Sequence, residues 1–200
     1  MMADETQSHR GQPVHTRGSA LHTARVAMVM VHGRGARASD ILSLVDELEA
    51  PGVAYLAPQA AGDAWYPNRF IEPVASNEPW LSSALAAVAD TFAQVAAAGI
   101  TAERTLLLGF SQGACLALEF AARNPRFYGG VIALSGALIE NGDKPRDYSG
   151  SLAGTPVFLG CSDFDPHIPE GRLQRTADLL AKLDGEVTMR IYPGMGHTVN

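Results

Sequence analysis

Cysteine is scarce in this sequence: Cys115 and Cys161 are the only two among 200 residues. Both lie in apolar contexts, with neither a metal-ligand spacing nor the framework of a small disulfide-rich fold, and a reducing cytoplasm fits them. Charge is also thin, at 18% of residues with a formal net value of −6. No cluster of Lys and Arg is available to replace counterions on phosphates, so neither nucleic acid nor an anionic membrane surface is expected as a partner. Long apolar runs are missing too: none reaches the ~20 residues of a membrane-spanning helix. The opening "MMADETQSHRGQPVHTRGSALHTA" lacks the apolar core of a secretory signal. Residues 1–24 are therefore read as a flexible N-terminal extension and 25–200 as one domain. His9, His15 and His22 recur in the extension without cysteine partners or a rigid element, and no metal site is expected there.

What the sequence does hold is 46% hydrophobic residues, enough for a real core. Apolar or β-branched runs bounded by Gly, Pro or Asp fall at 26–33, 53–59, 104–111, 130–136, 156–162 and 187–194, and they predict buried strands. Helical patterns lie between them at Ser39–Ala50, Pro79–Ala98, Gln112–Arg123 and Glu170–Leu183, the first opened by Ser39 as N-cap. Regular alternation of strand and helix predicts an α/β fold, a mostly parallel sheet with helices on both faces. In such sheets reactive groups gather beyond the carboxyl ends of the strands. The residues at those positions are His32 to Gly35, Gln59, Ser111, Ser135, Asp163 with Asp165, and His197.

Ser111 stands in "GFSQG", after a predicted strand and before a predicted helix, which is the setting of a nucleophile elbow. A serine that only capped the following helix would explain Ser111 but not Gly109 and Gly113. A hydroxyl needs a base to take its proton, and the base needs an acid to fix its tautomer. In this type of sheet they follow in the order Ser, Asp, His. "GCSDFDPHIP" supplies the acid and "YPGMGHTVN" supplies His197 as base; His167, two residues past Asp165, is read as an ordinary loop residue. The expected oxyanion donors are the backbone N–H of Gln112 and that of Arg34 in "HGRGA". His32 is read as a structural histidine beneath that loop. The Arg34 side chain is either solvated or turned inward, where it would favour an anionic substrate group.

Taken in order, "HGRGA", "APQA…WYP", "NEPWL", "GFSQGACLALEFAARNP", "LSGAL", "DPHIP" and "GMGH" resemble the small bacterial phospholipase/carboxylesterase family of α/β-hydrolases, relatives of acyl-protein thioesterases and dienelactone hydrolases. The resemblance spans about residues 25–197. It implies an α/β-hydrolase fold without a cap domain, a Ser111–Asp165–His197 triad, and Arg34 and Gln112 as oxyanion donors. The stretch "DPHIP" resembles the family's Asp-Pro-x-Val-Pro, which selects Asp165 over Asp163. Pro166 adds a physical reason, since it biases Asp165 toward an extended conformation that projects its carboxylate off the loop. Two departures stand out: family thioesterases carry an apolar residue in place of Arg34, and relatives add a helix after the histidine loop. Apolar surface near Ile191 and Val199 is therefore expected to be shielded by a second copy, as a homodimer, or by the N-terminal extension.

The long segment after the second strand holds both tryptophans with Tyr66 and Phe70. Loops of that length are usually functional, so Trp65, Tyr66 and Phe70 are expected to wall an apolar substrate pocket. The expected activity is a cytoplasmic, cofactor-free serine carboxylesterase acting on small to medium acyl or aryl esters through an acyl-enzyme. Thioesterase or lysophospholipase activity at the same site is the alternative. Two further readings are a metal hydrolase built on His32, Asp163, Asp165, His167 and His197, and a non-catalytic ligand-binding protein on the same fold.

Overall fold

The computed structural model describes residues 9–48, 50–142 and 144–199. Seven strands form one sheet: β1 (Val14–Gly18), β2 (Val26–Val31), β3 (Val53–Pro58), β4 (Thr105–Phe110), β5 (Gly130–Leu134), β6 (Pro156–Ser162) and β7 (Glu186–Tyr192). Their order is β1-β3-β2-β4-β5-β6-β7, all parallel except β1, which runs antiparallel to β3. The helices are α1 (Ala38–Leu42), α2 (Trp80–Ala97), α3 (Gln112–Arg123) and α4 (Glu170–Lys182). This is the α/β-hydrolase architecture. No helix among the described residues is long and apolar enough to cross a membrane.

The six expected strands are present; β2 to β6 are central, covered on both faces and near-continuously apolar, whereas β7, expected to be buried, is an edge strand with no buried residue. In β2 all residues from Ala27 to Val31 are buried. β1 differs: its sequence VHTRG leaves four of five residues exposed, so no apolar run or alternation marks it. Residues 9–24, expected as part of a flexible extension, are instead built into the fold. Val14 pairs with Pro58 and Gly18 with Ala54, while the His9 side chain is buried. Residues 1–8 of that expected extension lie outside the described residues.

The first helix is shorter than expected and continues as a 3₁₀ turn over Ser43–Glu47. Its start is not set by Ser39: the Arg37 N–H donates to Asp40 Oδ2 at 2.8 Å, so the acid inside the first turn takes the orphan donor.

The two faces of the sheet are covered unequally. Leu81, Val88 and Phe92 of α2, most of α3, and Leu173 and Leu180 of α4 pack in one large core with Val29, Leu107, Val131 and Leu159. On the other face α1 packs with Met30, Tyr55 and Leu108, and Leu106, Phe110, Ile132 and Leu134 stay half-buried. Ile191 of β7 is partly covered against the large core, and Val199 is exposed beside Ile41, Leu44 and Phe110 on the α1 face. β1 lies at the opposite edge of the sheet from β7, so it does not cover Ile191.

Between β5 and β6 no helix appears among the described residues, and the segment is tied down by a buried carboxylate. Glu119 of α3 accepts from Arg123 Nε at 2.6 Å and from the Tyr148 hydroxyl at 2.7 Å, with Arg146 as a third donor. A fully buried charge is tolerable only when paired in this way.

Candidate active site

The turn from β4 into α3 places Ser111 at φ 53°, ψ −120°, a left-handed region that a non-glycine residue enters only under constraint. The two flanking glycines permit it. A Cβ on Gly109 would lie 2.3 Å from the Gly113 carbonyl oxygen, and one on Gly113 would lie 2.2 Å from that of Val31. The Ser111 side chain makes no cap bond to its helix. Its hydroxyl lies 2.8 Å from His197 Nε2 instead.

His197 follows β7, and its Nδ1 lies 2.7 Å from Asp165 Oδ2. Burial pushes the Asp165 carboxyl upward, but the His197 hydrogen bond and the backbone N–H groups of His167 and Ile168 outweigh it and hold the group below the ordinary carboxylate range. An ionised Asp165 only accepts, so Nδ1 carries the proton and Nε2 is left to accept from the serine hydroxyl. Cys161, beneath the acid, brings its thiol to 3.6 Å from the same Oδ2; burial first, then Asp165, pushes that thiol up to about 12, so it stays protonated and donates.

Asp163 is occupied elsewhere. Its Oδ1 accepts from the Gly194 N–H at 2.7 Å, and the neighbouring Ser162 hydroxyl accepts from Gly196 at 3.0 Å. These two bonds tie the β6 loop to the loop that carries His197. His167, expected to be an ordinary loop residue, places its ring 4.8 Å from that of His197, edge to face, on the wall of the site cavity. His32 uses Nδ1 on the Gly33 carbonyl and Nε2 on the Ala60 N–H, as a structural histidine. Of the acids and histidines considered as a metal-ligand set, Asp165 and His197 bind each other while His32 and Asp163 are engaged on backbone groups; among the described residues no group of three such side chains is placed to hold a metal ion.

The loop after β2 lies against the elbow: a Cβ on Gly33 would stand 3.4 Å from that of Ser111. Arg34, next in line, is an exposed residue on the cavity rim, with its side chain turned onto the neighbouring loop. Its guanidinium donates at 2.8 Å to each of three backbone carbonyls, those of Tyr66, Pro67 and Asn68. Gln112 binds the same loop from the other side, accepting from the Trp65 N–H at 2.9 Å and donating to the Tyr66 carbonyl at 2.8 Å. Both residues expected to supply oxyanion N–H groups therefore use their side chains to hold residues 65–68.

A cavity of about 540 Å³ opens over the serine, lined by Ser111, His197, Arg34, Tyr66, Phe70 and Ile168 among others. Tyr66 and Phe70 are where expected. Trp65 is not on this wall: it is fully buried, with Nε1 donating to the His32 carbonyl at 2.8 Å. An indole in the core must place its one donor, and the His32 carbonyl beneath the loop fixes the ring away from the cavity.

With this geometry in view, the sequence matches the phospholipase/carboxylesterase family over residues 19–200. The chain belongs to the phospholipase/carboxylesterase family. That membership puts it among the serine hydrolases. The chain is similar to a phospholipase/carboxylesterase of Dyadobacter fermentans at 43% identity, covering 95% of this chain and 91% of that one with a TM-score of 0.91. It is also similar to the esterase PE8 at 25% identity, over 94% and 91% of the two chains with a TM-score of 0.73. Among curated relatives, acyl-protein thioesterase 1 of Saccharomyces cerevisiae is 36% identical over 103 residues, 50% of this chain and 45% of the relative. The chain spans less than half the length of that relative.

Sequence reasoning did not find His9 or the Arg34 clamp. Neither left a signal, since each acts on backbone groups far away in sequence.

Proposed function

We propose that this phospholipase/carboxylesterase family member is a serine carboxylesterase of small to medium acyl or aryl esters. The observation that carries the reading is the unbroken relay from the Ser111 hydroxyl through His197 to Asp165, opening on a cavity walled by Tyr66, Phe70 and Ile168. His197 Nε2 takes the Ser111 proton as the oxygen attacks the ester carbonyl, and the charge that builds on the carbonyl oxygen is met by the N–H groups of Gln112 and Arg34. The imidazolium, steadied by Asp165, then protonates the departing alcohol. Water repeats the sequence on the acyl-enzyme and frees Ser111.

The strained backbone at Ser111 supports this reading, since a left-handed serine has no structural use here that another residue would not serve with less strain. The segment between β5 and β6 forms no helical lid among the described residues, which suits substrates of varied leaving group. The named activity of the yeast relative favours a thioester as second substrate class. The deciding experiment is a screen of p-nitrophenyl esters of rising acyl length beside matched alkyl thioesters, with Ser111→Ala as control. Preference for short esters over thioesters supports the carboxylesterase reading; faster turnover of long-chain thioesters replaces it with the thioesterase one.

A further inference from the structure

We propose that His9 is a positioning residue for the oxyanion side of the site, which makes the N-terminal arm part of the active-site frame. The inference rests on the serine-esterase reading above. His9 is 3% exposed and lies outside the residues that match the family. Its Nδ1 accepts from the Ala61 N–H at 3.0 Å and its Nε2 lies 2.9 Å from the Trp65 carbonyl. Only the neutral ring with its proton on Nε2 satisfies both. The His9 backbone N–H in turn donates to the Ser83 hydroxyl at 2.8 Å, which fastens the arm to α2.

The partner of this arrangement is His32. Its Nε2 accepts from Ala60 at 3.1 Å, so two consecutive backbone N–H groups end on two different imidazoles, and the rings flank Trp65 with centroids 5.3 and 4.9 Å away. From the segment so held, one bond runs to the residue after Arg34 and another to the Gln112 side chain. The Asp63 carbonyl accepts from Gly35 at 2.7 Å, directly after Arg34, and the Trp65 N–H reaches the Gln112 side chain. Removing the His9 ring strips Ala61 and Trp65 of these partners and loosens the segment that braces the Arg34 loop and the Gln112 side chain. Because oxyanion donors act only when already in place, the loss falls on the chemical step rather than on substrate binding.

The test uses the full chain, with active sites counted by fluorophosphonate titration and p-nitrophenyl acetate as substrate, well below each variant's melting temperature. His9→Leu is expected to lower kcat about tenfold with KM within about twofold. His9→Gln, whose amide offers an acceptor and a donor, is expected to recover most of that loss. A folded His9→Leu with wild-type kcat and only a lowered Tm overturns the proposal. Should His9→Leu not fold, Ser83→Ala decides: a fall in kcat at unchanged KM supports it, and an unchanged kcat overturns it. A wild-type protein that neither reacts with the phosphonate nor turns over ester overturns instead the esterase reading beneath it.

Discussion

The elbow around Ser111 and the loop around Trp65 both stand out in the sequence as active-site material, and the fold treats them in opposite ways. Ser111 sits in a turn whose geometry is fixed by its own neighbours, since only glycine fits at 109 and 113. Trp65 sits in a loop whose geometry is fixed from outside, by His9, His32, Gln112 and Arg34. The aromatic ring is drawn inward, and the polar side chains around it are spent on backbone carbonyls and N–H groups. A local backbone rule places a side chain from sequence alone, whereas a loop built by distant partners does not reveal which of its residues face the substrate.

The largest expected effect lies on the elbow side. Ser111→Ala should lower ester turnover by roughly 10⁶ with the fold intact, because the residual rate comes only from binding and the oxyanion donors. Steady-state kinetics with a melting curve on the same preparation checks this. Next come the two acids. Asp165→Asn should cut kcat by roughly 10⁴, since an amide turns the wrong face to Nδ1 and cannot steady the imidazolium. Asp163→Asn should stay within about threefold, because an amide oxygen still accepts from Gly194. The reverse result at equal stability would exchange their roles.

On the loop side the effects move from rate to stability and selectivity. Trp65→Ala should cost about 3–5 kcal/mol of folding free energy, read by denaturant unfolding, as a large core ring is lost. Its KM values should change alike for small and bulky esters. Phe70→Ala, by contrast, should raise KM for long acyl chains more than for acetate, since Phe70 lines the cavity. If Trp65→Ala proves the size-selective variant, the division between the two regions fails.

The smallest effect is on pH dependence. His9 and His32 both have their pKa lowered from 6.5, chiefly by burial and against the opposing pull of the backbone bonds to Trp65 and Gly33. The folded rings resist protonation more than the unfolded chain, which takes up protons below 6.5. Stability is therefore full above that value and declines as pH falls below it, by up to about 1.4 kcal/mol per pH unit for each ring. Urea unfolding from pH 8 downward should show this slope, and His9→Gln should remove its own share.

Much of the fold is legible in the sequence for the same reason as the elbow. The strands β2 to β7 are apolar runs closed by Gly, Pro or Asp, and each carries its own signal. β1 is not legible, because an edge strand with polar side chains is held by backbone pairing to β3 rather than by burial. That His197 meets Asp165 could be expected from order along the chain, from the resemblance of "DPHIP" to the family stretch and from Pro166. The ties of Asp163 to Gly194 and of Arg34 to three carbonyls could not, since a side-chain bond to a backbone group places no demand on the type of residue at the other end.

The central claim, that Ser111 is the nucleophile that this relay activates, is tested most directly by labelling. Wild-type protein is treated with a fluorophosphonate and digested, and the modified peptide is located by mass spectrometry. The account predicts one adduct, on Ser111, forming in step with the loss of esterase activity and absent from Ser111→Ala. Full esterase activity in a protein that takes up no label, or an adduct on another residue that tracks the loss of activity, would contradict it.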